Sequence, residues 1–212
     1  IYDSSDVYST GIYEAFAAEA ENQPFDIVSV EAFTADAKTD FSVQVQKSKD
    51  AGADLLFMPF YYTEASLVLA ECNKQGYEPT FFGCDGMDGI LGVENFDTSL
   101  AEGLTFLAPF VAKSEDEQVQ NFVSKYEAAY GETPNQFAAD AYDCVYVVKA
   151  AIEEAGATPD MSVSDLCDAM KAAMTTISYS GVTGKDITWG AEGEPNKAPL
   201  VVKVVDGEYT EL

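Results

Sequence analysis

The chain has 212 residues, 47% of them hydrophobic and 12% aromatic, which supplies one good core or two modest ones and excludes the disordered and fibrous classes. Its 37 Asp and Glu against 11 Lys and Arg give a formal net charge of −26, a surface that repels phosphate backbones and anionic headgroups and excludes nucleic acid as a partner. The sequence holds no histidine, so Ser-His-Asp and Cys-His nucleophilic machinery and His-ligated metal sites are absent.

Ile1 and Tyr2 read as the end of a strand without the residues that lead into it, so the chain is expected to be part of a longer protein. No signal peptide opens it, and no apolar run reaches the roughly 18 residues of a membrane span. Gly11 to Asn22 carries Ile12, Phe16 and Ala20 on one helical face, and Phe25 to Phe33 follows as a β-branched, half-alternating strand. Asp40 is placed to cap a helix whose Phe41, Val45 and Lys49 share a face. Ala53 to Met58 is a short apolar run suited to a strand covered on both sides. Glu64 to Gln75 is helical and stops at Gly76, and Thr80 to Gly83 is the next strand. These strands start near residues 26, 53 and 79, about one βαβ unit apart, which sets them parallel through right-handed crossovers. Strand-like runs ending at Asp3, Pro59 and Cys84 then deliver Tyr8, Tyr61 with Tyr62, and Asp85 to one carboxyl edge, where open α/β sheets bind ligands.

Beyond Asp85, Gly103 to Pro109 reads as a strand. Ser114 to Glu117 begins an acidic-capped helix running to Tyr130, with Gly131 as its stop. Gln136 to Ala155 is apolar all round and is expected to be buried. Ser162 to Met174 is amphipathic, while Gly181 to Trp189 and Ala198 to Val205 read as strands, with Asp206-Gly207 marking a hairpin. Cysteines 72, 84, 144 and 167 show no Cys-x-x-Cys pair and no zinc spacing, and are expected to be buried free thiols. No metal or cofactor site is expected.

Several segments in this order resemble one family. They are Tyr-Asp-Ser-Ser-Asp-Val-Tyr-Ser-Thr-Gly at 2 to 11, Thr-Asp-Phe-Ser at 39 to 42, Gly-Ala-Asp-Leu-Leu at 52 to 56 and Phe-Phe-Gly-Cys-Asp-Gly at 81 to 86. Phe122 to Gly131 follows, then Pro134, Ala138, Ala139 and Ala141-Tyr142-Asp143. The succession resembles the type I periplasmic binding proteins, and within them the branched-chain amino-acid receptors of ABC transporters. The resemblance implies an α/β fold of Rossmann-like parallel-sheet lobes with the first lobe incomplete. Residues 1 to 109 plus 200 to 212 would form the second lobe, and 110 to 199 the returning half of the first.

It further implies an extracytoplasmic receptor, in the periplasm or a lipoprotein on the outer face of the cell membrane, that hands an apolar amino acid to an ABC permease by hinge closure. Membrane contact would come only through a lipid anchor preceding Ile1. By position, Tyr8, Tyr61 and Asp85 would touch the ligand, the acid taking its ammonium group, and one of Tyr61 and Tyr62 would point inward. A desolvated ammonium needs an anionic acceptor, and aromatic faces add cation–π attraction. Asp85 stands where relatives often carry Glu, one methylene longer. The competing reading is a histidine-free hydrolase, such as a glycosidase using Asp85 and Asp88 as its acid and base.

Overall fold

The computed structural model describes residues 1–212, which fall into two compact units: Ile1–Ala108 with Val201–Leu212, and Pro109–Leu200. The first unit holds β1 (Tyr2–Asp3), α1 (Val7–Ala20), β2 (Ala32–Phe33), α2 (Ser42–Asp50), β3 (Leu55–Met58), α3 (Tyr62–Gln75), β4 (Thr80–Gly83) and β5 (Thr105–Ala108). The second holds α4 (Glu117–Tyr130), α5 (Gln136–Glu154) and α6 (Val163–Met174), before β6 (Leu200–Val205) and β7 (Glu208–Glu211) return to the first.

The strands form two sheets, a pair β1-β2 and a five-stranded sheet ordered β3-β4-β5-β6-β7. The pairs β1–β2, β3–β4 and β4–β5 are parallel; α1 and α3 make the first two crossovers, and a connection with three short 3-10 turns makes the third. The β6–β7 hairpin is antiparallel and turns at Asp206 and Gly207, both at positive φ, the conformation that makes Asp-Gly a hairpin signal. Phe41, Val45, Leu56, Met58, Phe60, Val68, Leu69 and Phe106 are all buried beneath this sheet and its helices.

Helix boundaries follow local chemistry. Asp6 caps α1 by accepting a hydrogen bond from the Tyr8 amide. Asp116 caps α4 by accepting from the Gln118 and Val119 amides. Gly76 and Gly131 end α3 and α4 in the left-handed conformation, which costs glycine no Cβ clash. Asp40, the expected cap of α2, sits one residue before the observed N-cap Phe41 and accepts from the Ser42 amide at 2.9 Å.

Four sequence expectations need correction. Of the strand expected at Phe25 to Phe33 only Ala32–Phe33 pairs, because β1, its partner, is two residues long. Gly181 to Trp189 is not a strand: its segment makes single bridges, Tyr179 to Ile187 and Trp189 to Pro195, and loops back upon itself instead of joining a sheet. Helix α5 is not buried all round, since Val145, Tyr146, Val148 and Ile152 are exposed along one face. Its other face packs Ala139 with Phe110, Val119, Phe122, Val123 and Val182 in the core of the second unit. The four cysteines are free, but only Cys72 and Cys84 are buried, while Cys144 and Cys167 are exposed.

Candidate functional site

Three loops at the carboxyl ends of β1, β3 and β4 bring Tyr8, Tyr61 and Asp85 together. Tyr8 lies in the first turn of α1, Tyr61 directly precedes α3, and Asp85 opens the 3-10 turn Asp85–Met87 that follows β4. The Tyr8 hydroxyl donates to Asp85 Oδ1 at 2.7 Å and accepts from the Gly86 amide at 3.0 Å. With both hydrogen-bonding roles assigned, the phenol is fixed in direction. The Tyr8 and Tyr61 rings stack with centroids 5.1 Å apart and planes 28° from parallel, an offset geometry that favours aromatic pairs. Tyr8 and Asp85 are half-buried, whereas Tyr61 is 41% exposed and forms the wet side of the cluster.

Two glycines make this approach feasible. A Cβ at Gly86 would fall 2.7 Å from the Phe60 carbonyl oxygen and 3.1 Å from the Tyr8 hydroxyl, so any side chain there would separate the β3 and β4 loops. Gly89 has φ of 118°, and a Cβ on it would come within 2.9 Å of the Tyr62 ring. Tyr62, the first residue of α3, therefore lays its ring against the turn after Asp85, while its neighbour Tyr61 meets Tyr8.

The field around this cluster is negative. Burial first, then the hydrogen bond to Asp85 and its charge, push the Tyr8 phenol far above the usual tyrosine range. Tyr61 is raised by burial and by the charges of Asp6 and Asp85. Both phenols thus stay protonated, Tyr8 with its one O–H given to Asp85, and two carboxylates bias the rim toward a cation. Cys84, beside Asp85, is pushed up to about 12 by burial and then by that same carboxylate, so it is a packed thiol and not a nucleophile. No group of three or more Cys, Asp or Glu side chains is arranged to hold a metal ion.

Asp88 serves another neighbourhood. It is buried at 5% exposure and its charge acts on Tyr209, while Asp85 engages Tyr8. Three residues apart on one turn, the two acids engage different tyrosines, Tyr8 and Tyr209. Tyr209, on β7, was not singled out from the sequence. Its hydroxyl accepts from the Gly89 amide at 3.0 Å and the Leu91 amide at 3.3 Å, and its ring meets Phe106 edge-on at 5.5 Å. It pins the turn that presents Asp85 from 118 and 120 residues away in sequence, a separation that no local pattern reveals.

Loops that follow β1, β3 and β4 thus converge on an aromatic pair and a carboxylate at the strands' carboxyl ends, the side on which open α/β sheets bind ligands. The chain matches the periplasmic binding protein family over residues 1–208 and belongs to it. It is 28% identical over 184 residues to a Leu/Ile/Val-binding protein homologue of Brucella melitensis, an alignment covering 82% of this chain and 47% of that protein. A branched-chain amino acid transporter substrate-binding protein of Streptococcus pneumoniae, solved with isoleucine, is 27% identical with a TM-score of 0.79, over 99% of this chain and 58% of its own. A leucine-binding protein of Thermotoga maritima shares the fold at a TM-score of 0.80 and 21% identity, over 99% of this chain and 58% of its own. The chain thus spans about half the length of the curated relatives it matches. The family is one of binding proteins and not of catalysts, which sets the glycosidase reading aside.

Proposed function

We propose that this chain is the ammonium-gripping part of an extracytoplasmic receptor for an apolar amino acid, which a complete receptor delivers to an ABC permease. The observation that carries the reading is the Tyr8–Asp85 hydrogen bond of 2.7 Å with Tyr61 stacked alongside. Asp85 is the acceptor for the ligand's ammonium, and the Tyr8 and Tyr61 faces supply apolar walls with cation–π attraction. Tyr62, packed on Gly89, holds the turn that carries the acid. In this reading residues 1–109 with 200–212 are the second lobe and residues 110–199 the returning half of the first. Hinge closure between lobes sequesters the ligand and marks the loaded state for the permease. The isoleucine-bound relative at 27% identity supports the ligand class.

The test is a thermal-shift screen of the complete receptor against the twenty amino acids. A ligand present at a hundred times its Kd stabilises by about 2.7 kcal/mol through linkage, so leucine, isoleucine or valine should raise the melting temperature by several degrees. A flat response to every apolar amino acid would contradict the reading.

A further inference from the structure

Tyrosines from separate parts of the chain hold the turn that carries Asp85. The Tyr8 hydroxyl, from α1, accepts from the Gly86 amide at 3.0 Å. The Tyr62 ring, from α3, lies 2.9 Å from where a Cβ on Gly89 would stand. Tyr209 of β7 takes the far end, its hydroxyl accepting from the Gly89 amide at 3.0 Å and the Leu91 amide at 3.3 Å. Between these points Met87 and Ile90 are wholly buried, and Met87 fills the space that a side chain on Gly83 would need.

Apolar and polar contacts do different work on this turn. Burial of Met87 and Ile90 holds it down without fixing its direction, whereas a hydrogen bond weakens steeply off its axis and so sets an angle. Asp85 has a short side chain, so its carboxylate goes where the backbone of Asp85–Met87 takes it. That 3-10 turn is joined to the next, Ile90–Gly92, through Asp88 and Gly89, and Gly89 has φ of 118°, a conformation glycine adopts freely and one that leaves the joint soft. Tyr209 bonds to one amide on the joint and one just beyond it. Tyr209 is itself steadied, since it pairs with Val204 of β6 and its ring meets Phe106 of β5 edge-on at 5.5 Å. Phe106 is in register with Gly83, the last residue of β4. The contacts close a circuit from β4 through its turn to Tyr209, on to Phe106 and back to β4.

We propose that Tyr209 is a positioning residue for ligand binding: through the Gly89 and Leu91 amides it sets the direction of the turn and with it the place of the Asp85 carboxylate, so that affinity for an amine depends on a phenol that does not touch the ligand. This rests on the reading of Asp85 as the ammonium acceptor. Because Tyr209 acts through Asp85, the two side chains contribute to affinity as one unit and not as a sum.

Tyr209→Phe keeps the ring and its contact with Phe106 and removes only the oxygen. In the complete receptor it should speed amide hydrogen exchange about tenfold at Gly89 and Leu91 and, relayed along the turn, at Gly86. Isoleucine should bind about fivefold more weakly in calorimetry, the effect of one lost hydrogen bond. With Asp85→Asn already present, the same substitution should cost less than about twofold more. A residue that only stabilised the fold would weaken both backgrounds alike, and that result would overturn the proposal. So would unchanged exchange at Gly86, a readout that needs no ligand. Loss of affinity with Asp85→Asn but none with Tyr209→Phe would overturn this proposal alone, whereas unchanged affinity with Asp85→Asn would overturn the ammonium reading and this proposal with it.

Discussion

Asp85 in the first unit and Asp143 in the second are both acids shielded from water, and they do opposite work. Asp143, 4% exposed, accepts from the Tyr179 hydroxyl at 3.0 Å, the Val182 amide at 3.1 Å, the Thr183 amide at 2.8 Å and the Thr183 hydroxyl at 2.7 Å. Its charge is consumed in tying the 179–183 loop to α5, where a Cβ at Gly181 would collide with the carboxylate. Asp85 is half-buried at an open edge with two tyrosine rings beside it. An acid ringed by its own chain's donors is structural; the proposed ligand role rests on the acid that a phenol holds at the rim.

The largest effect should come from breaking the closed acid. Asp143→Ala leaves buried donors without an acceptor and should cost on the order of 3 to 5 kcal/mol of stability, seen as a lower urea midpoint. Asp85→Asn in the complete receptor should instead cost about 2 to 5 kcal/mol of ligand binding in calorimetry while the urea midpoint barely moves. Gly86→Ala sharpens the contrast, since its Cβ must push the Phe60 carbonyl away; the overpacking should cost about 1 to 3 kcal/mol in both stability and affinity. Tyr8→Phe, which deletes one hydroxyl between Asp85 and the Gly86 amide, should cost about 1 kcal/mol of affinity.

A different kind of effect is a pH dependence concentrated in the first unit. Burial pushes Cys72, Cys84 and Tyr209 each up to about 12, whereas unfolded thiols and phenols titrate near 8.5 and 10. Folded pKa values above the unfolded ones mean that the native state holds more protons in that window. Stability contributed by these groups is therefore complete below about pH 8.5 and is lost as pH rises toward 12. Urea midpoints should fall between about pH 8.5 and pH 10.

How much of this was legible in the sequence depended on the range of the interaction. Stops at Gly76 and Gly131 and the Asp206-Gly207 turn are local φ requirements, and each appears where the residues indicated. The convergence of Tyr8, Tyr61 and Asp85 was expected at the edge of one parallel sheet; the loops do meet, but β1 and β2 pair in a sheet separate from that of β3 and β4. What the pattern could not show was whether a strand finds a neighbour. Phe25 to Val30 has strand chemistry and no partner, and Gly181 to Trp189 has it and folds onto itself. The apolar circumference of α5 likewise promised burial, but only the face carrying Ala139 and Asp143 meets the second unit's core. Tyr209 and Asp143 act on residues far away in sequence, and nothing in their immediate neighbours marks them.

The central claim is that Asp85 grips an amine, and a ligand lacking one tests it most directly. Calorimetric titration of the complete receptor with isoleucine and with 3-methylpentanoate, its des-amino analogue, should be run on the native protein and on Asp85→Asn. Loss of the ammonium should weaken binding at least a hundredfold in the native protein and far less in the variant, because the partner is already gone. Equal losses in the two proteins would contradict the account.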